Sequence, residues 1–127
     1  MSNPFKDQSD FMTACDQTVG IPNPEQAGMY VKLIVEEMNE LMEAIDQQDE
    51  IEVLDALIDI LVVTIGAGHS IGADMEGAWK EVMRTNFAKI DPDTGKVRKR
   101  EDGKVLKPEG WTAPVLSDYV YKENDPK

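Results

Sequence analysis

Acidic side chains interrupt two otherwise apolar segments of this sequence. The first segment, IVEEMNELMEAI, runs from Ile34 to Ile45, and the second, VLDALIDILVVTIG, runs from Val53 to Gly66. An unpaired carboxylate costs several kcal/mol to bury, so acids in such segments need either solvent or a compensating charge. The sequence has no lysine or arginine between Lys32 and Lys80 to supply that charge locally. Binding of a cation is the chemistry that this pattern suggests.

Helical periodicity turns some of the acids in the first segment toward its apolar side. At about 100° per residue, Glu37 falls inside the apolar arc and Glu40 falls on its edge. Glu36 and Glu43 lie further round the helix, on the same flank as Glu40. These four side chains are therefore expected to form a ridge of carboxylates that runs from the core to the surface.

The acids of the second segment share one face of a helix. Asp55 and Asp59 are one turn apart, and with His69 they are the ionisable residues between Val53 and Ala73. Glu52 lies three residues before Asp55 and extends the same face toward the start of the helix. A helix that is apolar on nearly every side offers no polar face for these two aspartates.

Packing the two faces against each other would crowd four or five carboxylates together. Their repulsion must then be balanced by protons or cations. Oxygen ligands without cysteine or histidine favour a hard cation such as Mg²⁺ or Mn²⁺ over zinc. Two alternatives remain open: EEMNE taken alone is typical of a solvated surface, and a basic partner from the tail would also balance Asp55 and Asp59.

Four helices account for most of the chain and predict an all-α, four-helix bundle-like subunit. Their expected ranges, set by prolines, glycines and apolar periodicity, are about Asp7–Thr18, Glu25–Gln47, Ile51–Ser70 and, after an N-cap at Asp74, as far as Ile90. A buried strand is the competing interpretation of the third range, but its length favours a helix. This third helix is expected to be buried at the centre of the bundle.

The remaining tail is basic and contains two glycine turns, which predict a short hairpin or an ordered loop. Six of the thirteen lysines and arginines fall between Lys96 and Lys107. A length of 127 residues suits a single domain over 1–127, with a helical core at about 7–90 and a basic tail at about 91–127. We expect Arg98, Lys99 and Arg100 to be exposed to solvent.

Charge and composition exclude several classes of protein. The net charge of −12 argues against a partner such as a nucleic-acid polymer or an anionic membrane. The longest uncharged apolar run, Ile60–Gly68, is too short to span a bilayer. The single cysteine, Cys15, fits a reducing compartment and is expected to be a buried thiol. We therefore expect a cytoplasmic location.

The motifs resemble those of the all-α nucleoside triphosphate pyrophosphohydrolase superfamily, which includes MazG-like, phosphoribosyl-ATP pyrophosphohydrolase-like and dimeric dUTPase-like branches. The superfamily signature is E-E-x-x-E on one helix and E-x-x-D on the next. Glu36, Glu37 and Glu40 match its first half, and Glu52-Val-Leu-Asp55 matches its second.

The tail is similar to that of the phosphoribosyl-ATP pyrophosphohydrolase-like branch. Asn86-Phe-Ala-Lys89 and the run DGKVLKPEGW at 102–111 match the ending of this branch, which is often found in phages and bacteria. A phage-encoded protein would act in the host cytoplasm. With the carboxylate motif, the resemblance covers the chain from about Phe11 to Leu116.

One position departs from the signature. In many relatives the final aspartate opens a D-L-L or D-I-L run, which here matches Asp59, but its E-x-x-D partner would then be Ala56, which cannot bind a metal. Asp55 lies on the same face and can take that place, while the role of Glu52 stays open. The resemblance therefore implies a metal-binding set of Glu37, Glu40, Asp55 and Asp59.

The resemblance also implies an activity. Relatives cleave a nucleoside triphosphate between the α and β phosphorus atoms and release a monophosphate and pyrophosphate. In this chain Mg²⁺, or Mn²⁺ in its place, is the expected cofactor of such a reaction. The implied catalytic residues are Glu36, which would orient or deprotonate water, and Glu37. The implied substrate-binding residues are Asn86, Lys89, Lys104 and Lys107. Relatives form dimers or tetramers, so a homodimer or homotetramer is expected.

Other readings of the same residues remain. Phosphoribosyl-ATP is an alternative substrate, and a non-catalytic helical bundle that binds a metal or a partner is an alternative function. A di-iron carboxylate bundle is disfavoured because Glu40-Leu-Met-Glu43 lacks the histidine of an E-x-x-H pair. Asn86 is alternatively a core asparagine. His69 is expected to be structural, and Trp79 and Trp111 are expected to be packing anchors.

Overall fold

The computed structural model describes residues 3–123, and its regular secondary structure is helical apart from one short hairpin. The four helices are α1 (Pro4–Ala14), α2 (Pro24–Asp46), α3 (Glu50–Ser70) and α4 (Met75–Phe87). Two antiparallel strands, β1 (Ile90–Asp91) and β2 (Lys96–Val97), follow, with a 3-10 turn at Ser117–Tyr119. The predicted all-α class with a short hairpin in the tail is confirmed.

Polar side chains fix where the first three helices begin. Oδ1 of Asn3 accepts a hydrogen bond from the Lys6 amide at 2.8 Å, and Asn23 and Asp49 cap α2 and α3 in the same way. Each cap satisfies an amide that has no partner within the first turn. Proline occupies the first turn of α1 and of α2, where its missing N–H costs nothing.

Three helix boundaries, two in the first helix and one in the fourth, differ from the prediction. The first helix begins at Pro4 rather than near Asp7, because Asn3 caps it, and it ends at Ala14 rather than Thr18. Asp16, just beyond, has a φ of 59°, which a right-handed helix cannot contain. The fourth helix ends at Phe87 because Ile90 pairs with Val97 in the hairpin instead of continuing the helix.

The described chain divides into two compact units, the first formed by residues 3–75 and 120–123 and the second by Glu76–Tyr119. That the whole chain is a single domain stays a prediction. None of the four helices in the described residues has the length and apolarity of a membrane span.

In the first unit, α2 and α3 form an antiparallel helical hairpin joined by three residues, 47–49. Tyr30 and Val63 are buried with Met12 of α1, and Val19, Leu33, Ile34 and Ala67 pack around them. Tyr30 lies directly against Gly66, where an added Cβ would come within 2.5 Å of its Cε1 atom. A glycine in α3 therefore allows the two helix backbones to approach each other closely at this level.

The expectation that α3 is buried at the centre of a bundle is wrong for the single chain. Apolar side chains on its outer faces are exposed, including Leu54 at 62% and Leu61 at 55%. The helix packs mainly against α2 and less extensively against α1. Because two neighbours cover only part of the circumference of a helix, the other apolar faces of α3 stay uncovered within the chain.

His69 and Cys15 of the first unit are both predicted to be structural residues. His69 is buried, and its Nε2 donates a hydrogen bond to the carbonyl oxygen of Phe5 at 2.8 Å, which confirms its structural role. Cys15 is exposed, so the prediction of a buried thiol is wrong. Because α1 ends at Ala14, helical periodicity from Met12 does not extend to Cys15.

The second unit consists of most of α4, the hairpin and the following loop. Nε1 of Trp111 donates a hydrogen bond to the carbonyl oxygen of Thr85 at 2.7 Å. The amide of Val115 donates to Oε2 of Glu81 at 2.8 Å, and Arg84 binds both oxygens of the same carboxylate. These contacts attach the loop after the hairpin to α4 at two points.

Candidate functional site

The carboxylate of Glu37 lies where α2 packs on α3. The residue is half-buried, and its Oε2 atom is buried with no hydrogen-bond partner in the described residues. A buried acceptor without a partner is uncommon in folded proteins and calls for a physical explanation. The neighbouring side chains of Glu40, Asp55 and Asp59 are acidic and add negative charge instead of compensating it.

The pKa of Glu37 is raised from 4.5 to about 7, and burial of the carboxylate is the largest cause. A hydrogen bond with Glu40 contributes next, and the negative charges of Glu40, Asp59 and Asp55 add to the rise. A pKa near neutrality means that Glu37 tends to keep its proton. A bound cation would offset the surrounding negative charge and favour the ionised form.

Asp59 faces the same cluster from α3. It is half-buried, and its pKa is raised first by burial and then by the charges of Asp55 and Glu40 and a hydrogen bond with Asp55. The antiparallel packing of α2 on α3 thus brings four carboxylates together, and they are defined here as the carboxylate cluster: Glu37, Glu40, Asp55 and Asp59.

Glu36 lies outside this cluster. Its side chain is exposed on α2, and within the described residues it has no hydrogen bond or ion pair. Glu36 is thus adjacent to Glu37 in sequence, but its carboxylate is exposed to solvent and is not part of the cluster.

A small pocket adjoins the cluster toward the turn between α2 and α3. Its volume is about 200 Å³, and acids from both helices line it: Glu40 and Glu43 from α2, Glu52 and Asp55 from α3. Buried Ala44 and Ala56 form its floor. Glu52, whose role was left open, thus lies beside Glu40 and Asp55. Glu43 was not chosen as a site residue, although its place one turn from Glu40 was a usable signal.

The donor chemistry of the cluster fits a hard divalent cation. All four side chains offer oxygen atoms, and Oε2 of Glu37 is a buried acceptor that lacks a donor. In their present conformations, no three His, Cys, Asp or Glu side chains among residues 3–123 are arranged to hold a metal ion. The helices therefore bring suitable ligands side by side, but their oxygen atoms do not converge on a common metal position in these conformations.

The residues expected to bind substrate fall in the second unit, and three of them meet there. Nζ of Lys89 donates a hydrogen bond to Oδ1 of Asn86 at 3.2 Å. The same ammonium lies 5.2 Å from the ring centre of Trp111, and Nζ of Lys107 lies 4.8 Å from it. Asn86 is exposed, so the alternative of a core asparagine is wrong.

Lys104 and Trp79 stand apart from this group. The backbone amide of Lys104 donates to Oδ1 of Asp102 in the turn at Gly103, and its side chain is exposed. Trp79 is 56% exposed, so it is not a core anchor within the chain, whereas Trp111 is half-buried. The expected role of Trp111 as a packing anchor agrees with its burial and its hydrogen bond to Thr85. Its contacts with Lys89 and Lys107 together were not predicted, because Lys89 is distant from the ring in the sequence.

Comparison with known protein families gives a match over most of the helical part of the chain. Residues 13–86 match the sequence profile of the family described as PRA-PH, phosphoribosyl-ATP pyrophosphohydrolase. The match covers more than half of the 127 residues and contains the whole carboxylate cluster. No curated protein matches the chain.

Proposed function

The chain belongs to the phosphoribosyl-ATP pyrophosphohydrolase family, and from that premise we propose that it hydrolyses a nucleoside triphosphate to the monophosphate and pyrophosphate in a reaction that requires Mg²⁺ or Mn²⁺. The family indicates a pyrophosphohydrolase that acts on a nucleotide. The triphosphate substrate and the metal requirement are the finer parts of this proposal. The observation that supports them is the buried, partnerless Oε2 of Glu37 among three further acids.

Glu37, Glu40, Asp55 and Asp59 would hold the cation. When bound, it supplies positive charge that offsets the charge of the phosphates and of the leaving pyrophosphate. Glu37 and Asp59 are half-buried, whereas Glu40 and Asp55 are exposed. The cluster therefore has two carboxylates on its buried side and two on its solvent side. The packing of α2 on α3 sets the backbone positions of these four residues before substrate arrives, and their side chains would turn to meet the cation.

Glu36 would act on water. Its carboxylate is exposed and unpaired within the described residues, which leaves an oxygen atom available to accept a proton from an attacking water molecule. In this role the proton moves from the water oxygen to the Glu36 carboxylate while the water attacks phosphorus and pyrophosphate leaves.

Phosphoribosyl-ATP is a second candidate substrate, and the description of the matched family favours it. It also contains a triphosphate, so the same cleavage applies. A substrate panel separates the two candidates, because only one of them requires the phosphoribosyl group.

The test is to incubate the protein with Mg²⁺ and a panel of ordinary and modified triphosphates plus phosphoribosyl-ATP, and to measure monophosphate and pyrophosphate together. Glu37→Gln and Asp59→Asn should each abolish turnover while circular dichroism shows unchanged helical content. Asp46→Asn is the matched control, since it removes one charge from the exposed end of α2 outside the cluster. No turnover of any substrate by the wild type, or wild-type rates in both cluster variants, rejects the proposal in favour of a non-catalytic bundle.

A further inference from the structure

The second unit contains a cleft of about 280 Å³ whose wall carries three cationic side chains, Lys89, Arg98 and Lys107. Asp91 is the carboxylate among the lining residues, and its Oδ2 lies 3.9 Å from Nε of Arg98, at the long limit of an ion pair. The lining therefore has a surplus of positive charge in a protein whose net charge is −12. Such a surface attracts anions.

The two lysines of the cleft both approach the Trp111 ring and lack acidic partners. Because each ammonium lies about 5 Å from the centre of the Trp111 ring, their Nζ atoms are at most about 10 Å apart. Within the described residues, neither lysine forms an ion pair with a carboxylate, whereas Arg84 and Arg100 each do. No carboxylate of the described residues therefore neutralises either ammonium group, and both remain able to pair with an anion.

The shape of the cleft adds selectivity for a compact anion. Its volume is close to the lower limit of ordinary ligand pockets, so it suits a small group or one end of a larger ligand. Apolar side chains from Ile90, Leu106 and two prolines, Pro92 and Pro108, line the cleft beside the charged groups. The planar guanidinium of Arg98 offers paired donors, which match two oxygens of a phosphate.

We propose that this cleft binds a phosphate group and that Arg98 is a binding residue in it, together with Lys89 and Lys107. Arg98 is 74% exposed, as its place in a basic run suggests, yet it lines the cleft and its nearest carboxylate holds it only loosely. The phosphate belongs to the nucleotide substrate or to the pyrophosphate product. That identification rests on the proposed function, whereas binding of phosphate itself does not.

Trp111 gives a direct signal for the test. The chain has two tryptophans, so in a Trp79→Phe background the fluorescence reports the ring that both lysines approach. Titration with inorganic pyrophosphate at constant ionic strength should change this fluorescence to saturation, because the lysines move toward the anion. Calorimetry with the same solutions gives a second readout that does not depend on the ring.

The decisive comparison is between two neighbouring arginines. Arg98→Gln should raise the half-saturating concentration about tenfold or more, the usual effect of losing a hydrogen bond between charged groups. Arg100→Gln removes the same charge from a guanidinium that is paired with Asp102 outside the cleft, and it should leave the titration unchanged. No saturable signal in either method, or equal half-saturation in the two variants, overturns the proposal.

Further titrations identify the source of the phosphate. A non-hydrolysable triphosphate that saturates at a lower concentration than pyrophosphate identifies the nucleotide, and the reverse order identifies the product. A nucleoside without phosphate should give no response, and an equal response to it contradicts a phosphate site. Turnover without saturable pyrophosphate binding rejects this inference alone, whereas binding by a protein that hydrolyses no triphosphate rejects the proposed function alone.

Discussion

Glu37 couples the protonation of the carboxylate cluster to the stability of the fold. Its pKa is about 7 in the folded protein and 4.5 in its ordinary state. Between these two values the folded chain retains a proton that the unfolded chain has released. Stability therefore falls as the pH rises through this window, which is the opposite of the usual behaviour of a salt-bridged acid.

This coupling predicts a dependence of metal stabilisation on pH. Mg²⁺ should raise the midpoint of thermal unfolding more at pH 8 than at pH 5, because at the lower pH the cation competes with the Glu37 proton. Glu37→Gln should reduce the fall in the metal-free midpoint between pH 5 and pH 8, since the amide does not titrate. Differential scanning calorimetry measures both effects, and an Mg²⁺ shift of equal size at the two pH values would contradict them.

Residue periodicity was sufficient to find the cluster but not the details around it. A wheel with 3.6 residues per turn turns Glu37 inward, and the short connection after Ile45 forces the two acidic faces together. The pocket beside Glu52 and the ring that Lys89 and Lys107 share depend on side-chain conformations and on contacts made across the hairpin loop. Neither leaves a periodic signal in the sequence.

At the level of elements, the contact between Tyr30 and Gly66 sets how closely α2 approaches α3. Gly66→Ala should lower the free energy of unfolding by roughly 1–3 kcal/mol, because the new methyl group overlaps the tyrosine ring and the packed helices must shift. Urea denaturation measures this change. The tyrosine hydroxyl also donates a hydrogen bond to Gln17, which limits how far the ring can move aside.

Gly28 of α2 is the matched control. A Cβ added at this helical position meets no atom within 4 Å. Gly28→Ala should therefore raise stability by up to about 1 kcal/mol through helix propensity alone. A Gly66→Ala protein as stable as Gly28→Ala would show that the close approach of the two helices is not needed.

Glu81 attaches the loop after the hairpin to α4. Its pKa is lowered to about 2, first by the hydrogen bond with Arg84 and then by that with the Val115 amide. A lowered pKa means that this attachment is present above pH 4.5 and is lost as the pH falls toward 2. The loop should therefore stay attached at neutral pH.

Glu81→Gln should release this loop. The amide cannot form the charged contact with Arg84, and it leaves the Val115 amide with a weaker acceptor. Limited proteolysis followed by mass spectrometry should show faster cleavage near residue 115 at pH 7. Glu109→Gln, an exposed acid in the same unit, should cleave at the wild-type rate. Equal rates in both variants would exclude the attachment.

The helix ends show where element prediction was limited. Prolines, glycines and apolar periodicity located all four helices, and α2 and α3 agree with expectation within one residue at each end. The first helix was misplaced because Asn3 was not recognised as its cap. The fourth was extended too far because the apolar Ile90 fits the helical stripe as well as it fits the strand that it joins.

For the molecule as a whole, the exposed apolar surface of α2 and α3 is the dominant feature. These two helices present twelve large apolar side chains that are exposed: Met29, Val31, Val35, Met38, Met42 and Ile45 from α2, and Ile51, Leu54, Leu57, Ile58, Leu61 and Val62 from α3. Continuous apolar surface of this kind marks an interaction site in a soluble protein. It supports the expectation of a homodimer or homotetramer.

The corresponding prediction concerns the mass in solution. Multi-angle light scattering of the wild type should give a multiple of 14.2 kDa. Met38→Glu should shift the mass toward the monomer by placing a charge on the apolar surface, whereas Asn39→Glu adds the same charge at an exposed polar position and should not. A monomeric wild type would leave the exposed apolar faces without this explanation.

The three-residue connection between α2 and α3 affects how the chain folds during its synthesis. Contacts across a helical hairpin are close in sequence, and such contacts tend to form early in folding. During synthesis, Glu37 and Asp59 would meet while the residues beyond Met75 are still being added to the chain. Protons and divalent ions around the nascent hairpin would then offset the repulsion between its clustered carboxylates. The pH and the divalent-ion concentration would therefore affect folding during translation, before any nucleotide binds.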